Sequence, residues 1–262
     1  MAITISPIAA FNDNYIWLLE DASGHATVVD PGDPHPVLAL LAERNLTLTN
    51  LLITHHHMDH TGGLKALKAA TGCTVYGPRN PAIAGIDRYL DDGDSFTLHE
   101  HSVNVIAVPG HTLDHIAYWL PSEAGGAEQG ALFCGDTLFA GGCGRLFEGT
   151  AAMMRASLSK LTGLPPSTRV YCAHEYTLAN LTFAKAAEAD NQALQLRIQD
   201  SEALRAKGIP TVPSNIGLEL ATNPFLRVSE PALRRTLQAS QGFSGEDLDA
   251  AFGALRRWKD DF

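Results

Sequence analysis

Residues 51–60 read LLITHHHMDH, which places four imidazoles and one carboxylate directly behind an apolar run. Imidazole nitrogen and carboxylate oxygen are donors that transition-metal sites use. The arrangement recurs. NLLIT leads into His55, His57, Asp59 and His60, NVIAVPG into His111, ALFCG into Asp136 and RVYCA into His174. Histidine is 11 of 262 residues, yet three of these four runs lead into it. One such residue behind one strand would be unremarkable. The repetition favours a metal site over a set of unliganded histidines, because a rigid sheet delivers side chains from distant parts of a sequence to one edge.

The seven groups exceed what one ion uses, since a tetrahedral zinc takes three or four protein ligands. Five imidazoles and two carboxylates suit two ions with three ligands each and one carboxylate shared. Asp136 suits the shared position: a carboxylate has two oxygens, whereas a neutral imidazole cannot span two metals. Two-metal sites hold their ions about 3.5–4 Å apart and activate a bridging water. With no cysteine in the set, the donors fit two divalent ions, zinc first, with iron and manganese compatible. Cys134 and Cys172 lie two positions before Asp136 and His174. Strand alternation gives them the same facing one step deeper, as buried structural residues.

Strands that end together are what such a set requires. Up to about residue 173, short β-rich runs alternate with turns: YIWLLE, ATVVDPG, NLLIT, CTVYG, SVNVIAVPG, IAYWL, ALFCGD and RVYCA. Helical periodicity appears in PHPVLALLAERN, GGLKALKAATG and AAMMRASLSKL. That mixture predicts an α/β layered domain over residues 1–173. From residue 174 the texture is helical. TLANLTFAKAAEADNQALQLRIQDSEALRAKG runs without Gly or Pro to Gly208, and PALRRTLQAS and GEDLDAAFGALRRWKDDF follow. A smaller helical domain is therefore expected over residues 174–262. EAGGAEQG is the one small-residue loop, and no internal repeat is present.

Composition limits the function classes. No stretch approaches the roughly 18 consecutive apolar residues of a membrane span, and the N-terminus lacks the basic region of a signal peptide. Four cysteines with no CxxC pair fit a reducing cytoplasm. A formal net charge of −10 argues against a nucleic-acid binder, whose affinity rests on neutralising phosphates. A small-molecule partner and a monomer are expected.

THHHMDH matches the T-H-x-H-x-D-H signature of the metallo-β-lactamase fold superfamily, and His111, Asp136 and His174 follow in its order. The resemblance implies an αββα sandwich with a dinuclear metal site at one edge. It assigns His55, His57 and His111 to the first metal, Asp59, His60 and His174 to the second, and Asp136 to the bridge. FNDNYIWLL, AGGCGRLFEGT, AHEYTLANLTFA, TNPFLR and RRWKDDF further resemble the glyoxalase II (hydroxyacylglutathione hydrolase) family, over nearly the whole chain. That family hydrolyses S-D-lactoylglutathione to D-lactate and glutathione, by a metal-bridging hydroxide that Asp59 could orient.

Glutathione carries two carboxylates, so its site should hold cations. By resemblance these are Arg145, Arg256 and Lys259, with Tyr176 and the residue at position 147 beside them. Some family members have Tyr at that last position, where this chain has Phe147, so a phenol hydrogen bond is absent. Without the resemblance, RRWK also reads as a solvated helix end favourable to the dipole.

Other members of the fold remain as alternatives. A persulfide dioxygenase would use one iron and would not need these C-terminal helices in this form. A lactonase shares the ligand set but lacks the RRWK pattern, and an RNA nuclease would show a basic surface. A silent metal-binding module would not need all seven ligands. Outside the set, His115 is expected in the core or behind the ligands, and His25, His35, His99 and His101 at the surface or in loops. His56 lies between two ligand positions and faces the other side of an extended segment. His56→Ala should therefore keep both metals, whereas His57→Ala should lose metal. Elemental analysis of the purified variants checks this, and metal loss in the His56 variant would overturn the assignment.

Overall fold

The computed structural model describes residues 3–122 and 129–262, so most of the small-residue loop EAGGAEQG lies outside the described residues. Two compact units divide the chain: Met1–Ala107 with Asp114–Gly135, and Val108–Leu113 with Asp136–Phe262. The change of texture near residue 173 is thus a change in secondary structure, and the compact units divide elsewhere.

The first unit contains β1 (Thr4–Ala10), β2 (Asn14–Glu20), β3 (His25–Val29), α1 (Pro34–Arg44), β4 (Thr47–Leu52), α2 (Met58–Thr61) and α3 (Leu64–Thr71). It continues with β5 (Thr74–Pro78), β6 (Arg88–Leu90), β7 (Ser95–Leu98), β8 (His101–Ala107), β9 (Ile116–Leu120) and β10 (Ala131–Gly135). Strands β1 to β6 form one sheet in chain order, antiparallel from β1 to β3 and parallel from β3 to β6. Strands β7 to β10 form an antiparallel meander.

Burial explains the pattern. β2 is buried on both faces, so it reads as an unbroken apolar run rather than an alternating one. Ile16, Leu18, Val28, Leu51, Ile53 and Val75 pack with Val37 and Leu41 of α1 and Leu64 and Leu67 of α3, which covers one face of the sheet. On the other face Tyr118 of β9 donates to the Ile53 carbonyl at 2.7 Å, and Phe96 of β7 stacks on Tyr76 at 4.6 Å.

The helix signals hold. Asp33 caps α1 with Pro34 at its first position, and α3 closes on left-handed Gly72. β1 adds a strand to those read from the sequence, and Pro7 interrupts its run TISPIAA. It lies at the sheet edge, where a residue without an N–H costs no ladder bond. His99 does occupy a turn, but its ring is packed inward between Thr27 and Asp21, at 2.9 and 3.2 Å.

The second unit contains β11 (Leu138–Phe139), β12 (Gly142–Cys143), α4 (Ala151–Thr162), β13 (Arg169–Cys172), α5 (Thr177–Ala187) and α6 (Gln192–Arg205). β14 (Ser214–Asn215), α7 (Ile216–Thr222), α8 (Pro231–Gln241) and α9 (Leu248–Asp260) complete it. The Gly-free run from Thr177 is two helices. Asn191 caps α6 by accepting from Leu194 N and donates to the Ala221 carbonyl, while Glu188 turns inward to Arg227. α5 ends at Glu188 and the Asn191 cap starts α6, so the run divides without any glycine.

Leu181 and Ala184 of α5 pack on Leu194 and Ile198 of α6, and the Phe183, Phe225 and Phe252 rings adjoin one another. Glu219 is fully buried. It accepts from Arg197, Ser214, the Gly141 amide and Asn223, which ties α6, α7, β14 and the β11–β12 turn together. Truncating one partner of a buried pair leaves the other charge without compensation. Glu219→Ala should lower unfolding stability by about 3–5 kcal/mol. Urea denaturation followed by circular dichroism checks it, and an unchanged midpoint would contradict this role.

Candidate metal centre

In the first unit, β4 runs through the buried Ile53 and Thr54 into His55, and α2 then begins with His57 as its N-cap residue. Asp59 and His60 follow within that one turn. His55 Nε2 lies 3.1 Å from His57 Nδ1, and the His55 and His60 ring centroids are 4.1 Å apart. A nitrogen pair at that distance is close to the edge, about 3.3 Å, of a tetrahedron drawn around zinc.

Asp30 organises this cluster. Its Oδ1 accepts from Thr54 N at 2.8 Å, and its Oδ2 accepts from Thr54 Oγ1 at 2.7 Å. The Thr54 oxygen has thus given its only proton to Asp30, so at 3.0 Å it can only accept from His55 Nδ1. That fixes the His55 tautomer with the lone pair on Nε2. Asp30 Oδ2 also lies 3.0 Å from His60 Nδ1, which favours the same tautomer there. Asn14 holds Asp59, donating from Nδ2 to Oδ2 at 3.0 Å.

Neither Asp30 nor Asn14 was among the candidate residues. Asp30 follows ATVV as Asp136 follows ALFCG, so the strand-end pattern was there to find it. Nothing local marks Asn14. The backbone must come close for this. Asp30 has a left-handed φ of 53°, and a Cβ on Gly32 would stand 1.9 Å from the Asp59 carbonyl.

The remaining histidines sort out by partner. His56 turns its Nδ1 to Asp114 at 2.9 Å, and Asp114 in turn accepts from Asn80. His115 is buried and stacks on His55 at 4.5 Å, with Nδ1 donating to the Ile116 carbonyl.

In the second unit His111, Asp136 and His174 are all buried. Asp136 uses a different oxygen toward each imidazole: Oδ2 lies 3.4 Å from His111 Nε2 and Oδ1 lies 3.3 Å from His174 Nε2. His111 Nδ1 donates to the Arg145 carbonyl at 2.9 Å, leaving its Nε2 as an acceptor. Two acceptors then face one another unless a cation lies between them, and the donor set fits a divalent ion on each side of Asp136. Groups able to hold metal, among the described residues, draw on all seven positions: His55, His57, Asp59, His60, His111, Asp136 and His174.

The five substrate-side candidates also lie in the second unit. Phe147 stands edge-on to His111 at 5.2 Å, and Tyr176 stacks on His174 at 4.6 Å. Arg256 is buried, with Nη1 donating to the Cys143 carbonyl at 3.0 Å and Nη2 to Asp260 at 2.9 Å. Arg145 is exposed and lies 4.0 Å from the same carboxylate. Lys259 sits over the Phe183 ring at 5.3 Å. Burial first, then the neighbouring Arg256, brings its ammonium pKa down to about 8. Cys134 and Cys172 are buried free thiols, and burial pushes Cys172 up to about 12.

The family model for the metallo-β-lactamase superfamily matches residues 10–174, and that for the hydroxyacylglutathione hydrolase C-terminus matches residues 175–262. A hydroxyacylglutathione hydrolase of Photobacterium profundum is 50% identical over 261 residues, covering 99% of this chain and 100% of the relative. Among solved structures, ETHE1 from Myxococcus xanthus is similar with a TM-score of 0.65 at 27% identity, over 99% of this chain and 100% of that one. TTHA1623, solved in a di-iron-bound form, has a TM-score of 0.59 at 26% identity, over 85% of this chain and 100% of its own. The fold is the metallo-β-lactamase αββα sandwich with a helical C-terminal region. With both parts of its length matched and half its residues shared with a full-length relative, the chain belongs to the hydroxyacylglutathione hydrolase family.

Proposed function

We propose that the chain hydrolyses S-D-lactoylglutathione and related 2-hydroxyacyl thioesters to the free hydroxy acid and glutathione, the second step of methylglyoxal detoxification. The observation that carries this reading is likeness to hydroxyacylglutathione hydrolases along the full length, helical residues 175–262 included. His55, His57 and His111 would hold one divalent ion, Asp59, His60 and His174 a second, and Asp136 would bridge them. The two oxygens of Asp136, each directed at one imidazole, support the bridging role. Zinc suits these nitrogen and oxygen donors, and the di-iron form of the relative makes iron the competitor.

When bound, such ions lower the pKa of a water to about 7 and polarise a carbonyl. The chain's own groups do the rest. Asp59, steadied by Asn14, and Asp136 carry the anionic oxygens that orient the attacking water. Water adds to the thioester carbonyl carbon, the C–S bond breaks, and the departing thiolate takes up a proton. Arg145 and Lys259 supply charge for the glutathione carboxylates, and Phe147 and Tyr176 give apolar flanks beside the imidazoles. Arg256, spent on the Cys143 carbonyl, holds the loop that carries Arg145. This division makes the N-terminal residues 1–173 the chemical part and the helical residues 174–262 much of the binding part. Four buried free thiols suit a reducing compartment, and the cytoplasm is where we place the reaction.

Purified protein with two metals per chain should consume S-D-lactoylglutathione and release one thiol per thioester lost. Absence of turnover in that preparation would overturn the reading. Asp136→Ala should lose metal and rate together. Asp30→Ala should weaken metal binding by about 10–100-fold, as loss of a partner behind the ligands does, with activity restored by excess metal. Chelator competition measures it, and an unchanged affinity would remove Asp30 from the support of His55 and His60.

A further inference from the structure

Two cations of the second unit share one carboxylate, and a third adjoins it in the sequence. Asp260 Oδ1 accepts from Arg256 Nη2 at 2.9 Å and lies 4.0 Å from Arg145 Nε, which comes from a loop far away in the sequence. Lys259 precedes it on α9. Arg256 cannot move to meet a ligand: its other Nη is bonded to the Cys143 carbonyl and its plane covers the Phe225 ring at 4.9 Å. Arg145 and Asp260 are the accessible members, at 70% and 40% side-chain exposure.

We propose that Asp260 is the positioning residue of the subsite that takes a carboxylate of glutathione, held by the fixed Arg256 so that it places Arg145 beside Lys259 as the two cations that meet the ligand. The identity of the ligand rests on the thioesterase reading above. An ordinary helix pair between Arg256 and Asp260 is the simpler account, but it leaves two features unexplained. Asp260 closes the last turn of α9, where the helix dipole disfavours a carboxylate. It also reaches Arg145, which is not on the helix.

Charge balance gives the mechanism. Burial and Arg256 press Lys259 toward its neutral form, and Arg145 adds to that. Cys143 and then Asp260 oppose them, and the Phe183 ring under the ammonium is uncharged. Cys143 is itself pushed up by burial, so its thiol contributes no charge at neutral pH. Among the described residues that act on Lys259, Asp260 is therefore the anionic one. Without it, Lys259 gives up its proton at a lower pH, and a neutral amine no longer attracts a carboxylate. Arg145, freed of its partner, spreads over more rotamers before a ligand can order it.

The metal-loaded full chain is titrated with S-methylglutathione by calorimetry between about pH 6.5 and 8.5, and KM and kcat for S-D-lactoylglutathione are read over the same range. Wild-type affinity should fall as pH passes about 8. Asp260→Asn should weaken binding several-fold at pH 7.5, shift that fall to lower pH and raise KM while leaving kcat. Asp260→Glu should restore both, and Lys259→Arg should abolish the pH step. The lactoyl thioester of N-acetylcysteamine, which has no carboxylate, should show the same KM in wild type and Asp260→Asn. Superimposable profiles for the two proteins would overturn the proposal, as would an equal loss with the carboxylate-free thioester. Binding of S-methylglutathione is read without turnover, so a failure to hydrolyse the thioester would count against the thioesterase reading and leave this test standing.

Discussion

A neutral imidazole offers its lone pair from one nitrogen at a time, and the site depends on which one. His55 gives its Nδ1 proton to Thr54, whose own proton is taken by Asp30, and His111 gives its Nδ1 proton to the Arg145 carbonyl. In each case Nε2 is left to accept. The consequence is a set of buried acceptors held a little over 3 Å from one another or from a carboxylate oxygen. Nitrogen lone pairs fixed in this way are the donors a divalent cation takes, so the tautomers suit metal before any substrate is considered.

Fixing those tautomers requires backbone segments closer together than side chains normally allow. Gly32 lies against the Asp59 carbonyl, and Gly144 lies where a Cβ would be 2.0 Å from the Asp136 carbonyl. Asp30 adopts a left-handed φ to direct its carboxylate at Thr54. Asp30 stores modest backbone strain there, and the buried Leu51, Leu52 and Ile53 of the same unit supply rigidity beside it.

The binding side follows a different logic. A dicarboxylate thioester would need positive charge, yet the candidate cations are crowded and partly removed from water. Arg256 serves as fixed internal scaffolding, since a guanidinium stays charged under burial, whereas Lys259 sits where burial brings its proton within reach of neutral pH. Cys143, pushed up by burial, stays an inert thiol beside them.

Residue types and their placement behind apolar runs were enough to nominate seven candidate donors, because strands are read by local periodicity and a donor at a strand end needs no knowledge of its neighbours. The family was legible from the resemblance of its motifs, those of the C-terminal part included. What the sequence could not decide was partnership. His56 and His57 are adjacent and chemically identical, and only the approach of Asp114 separates the first from the cluster. Asn14 reaches Asp59 across 45 residues, and Asp30 reaches Thr54 across 24. Arg256 reads like any exposed base near a helix end, yet packing against Phe225 and Cys143 turns it inward. Tautomer, burial and bonding partner are set by segments meeting in space, so they belong to the tertiary structure alone.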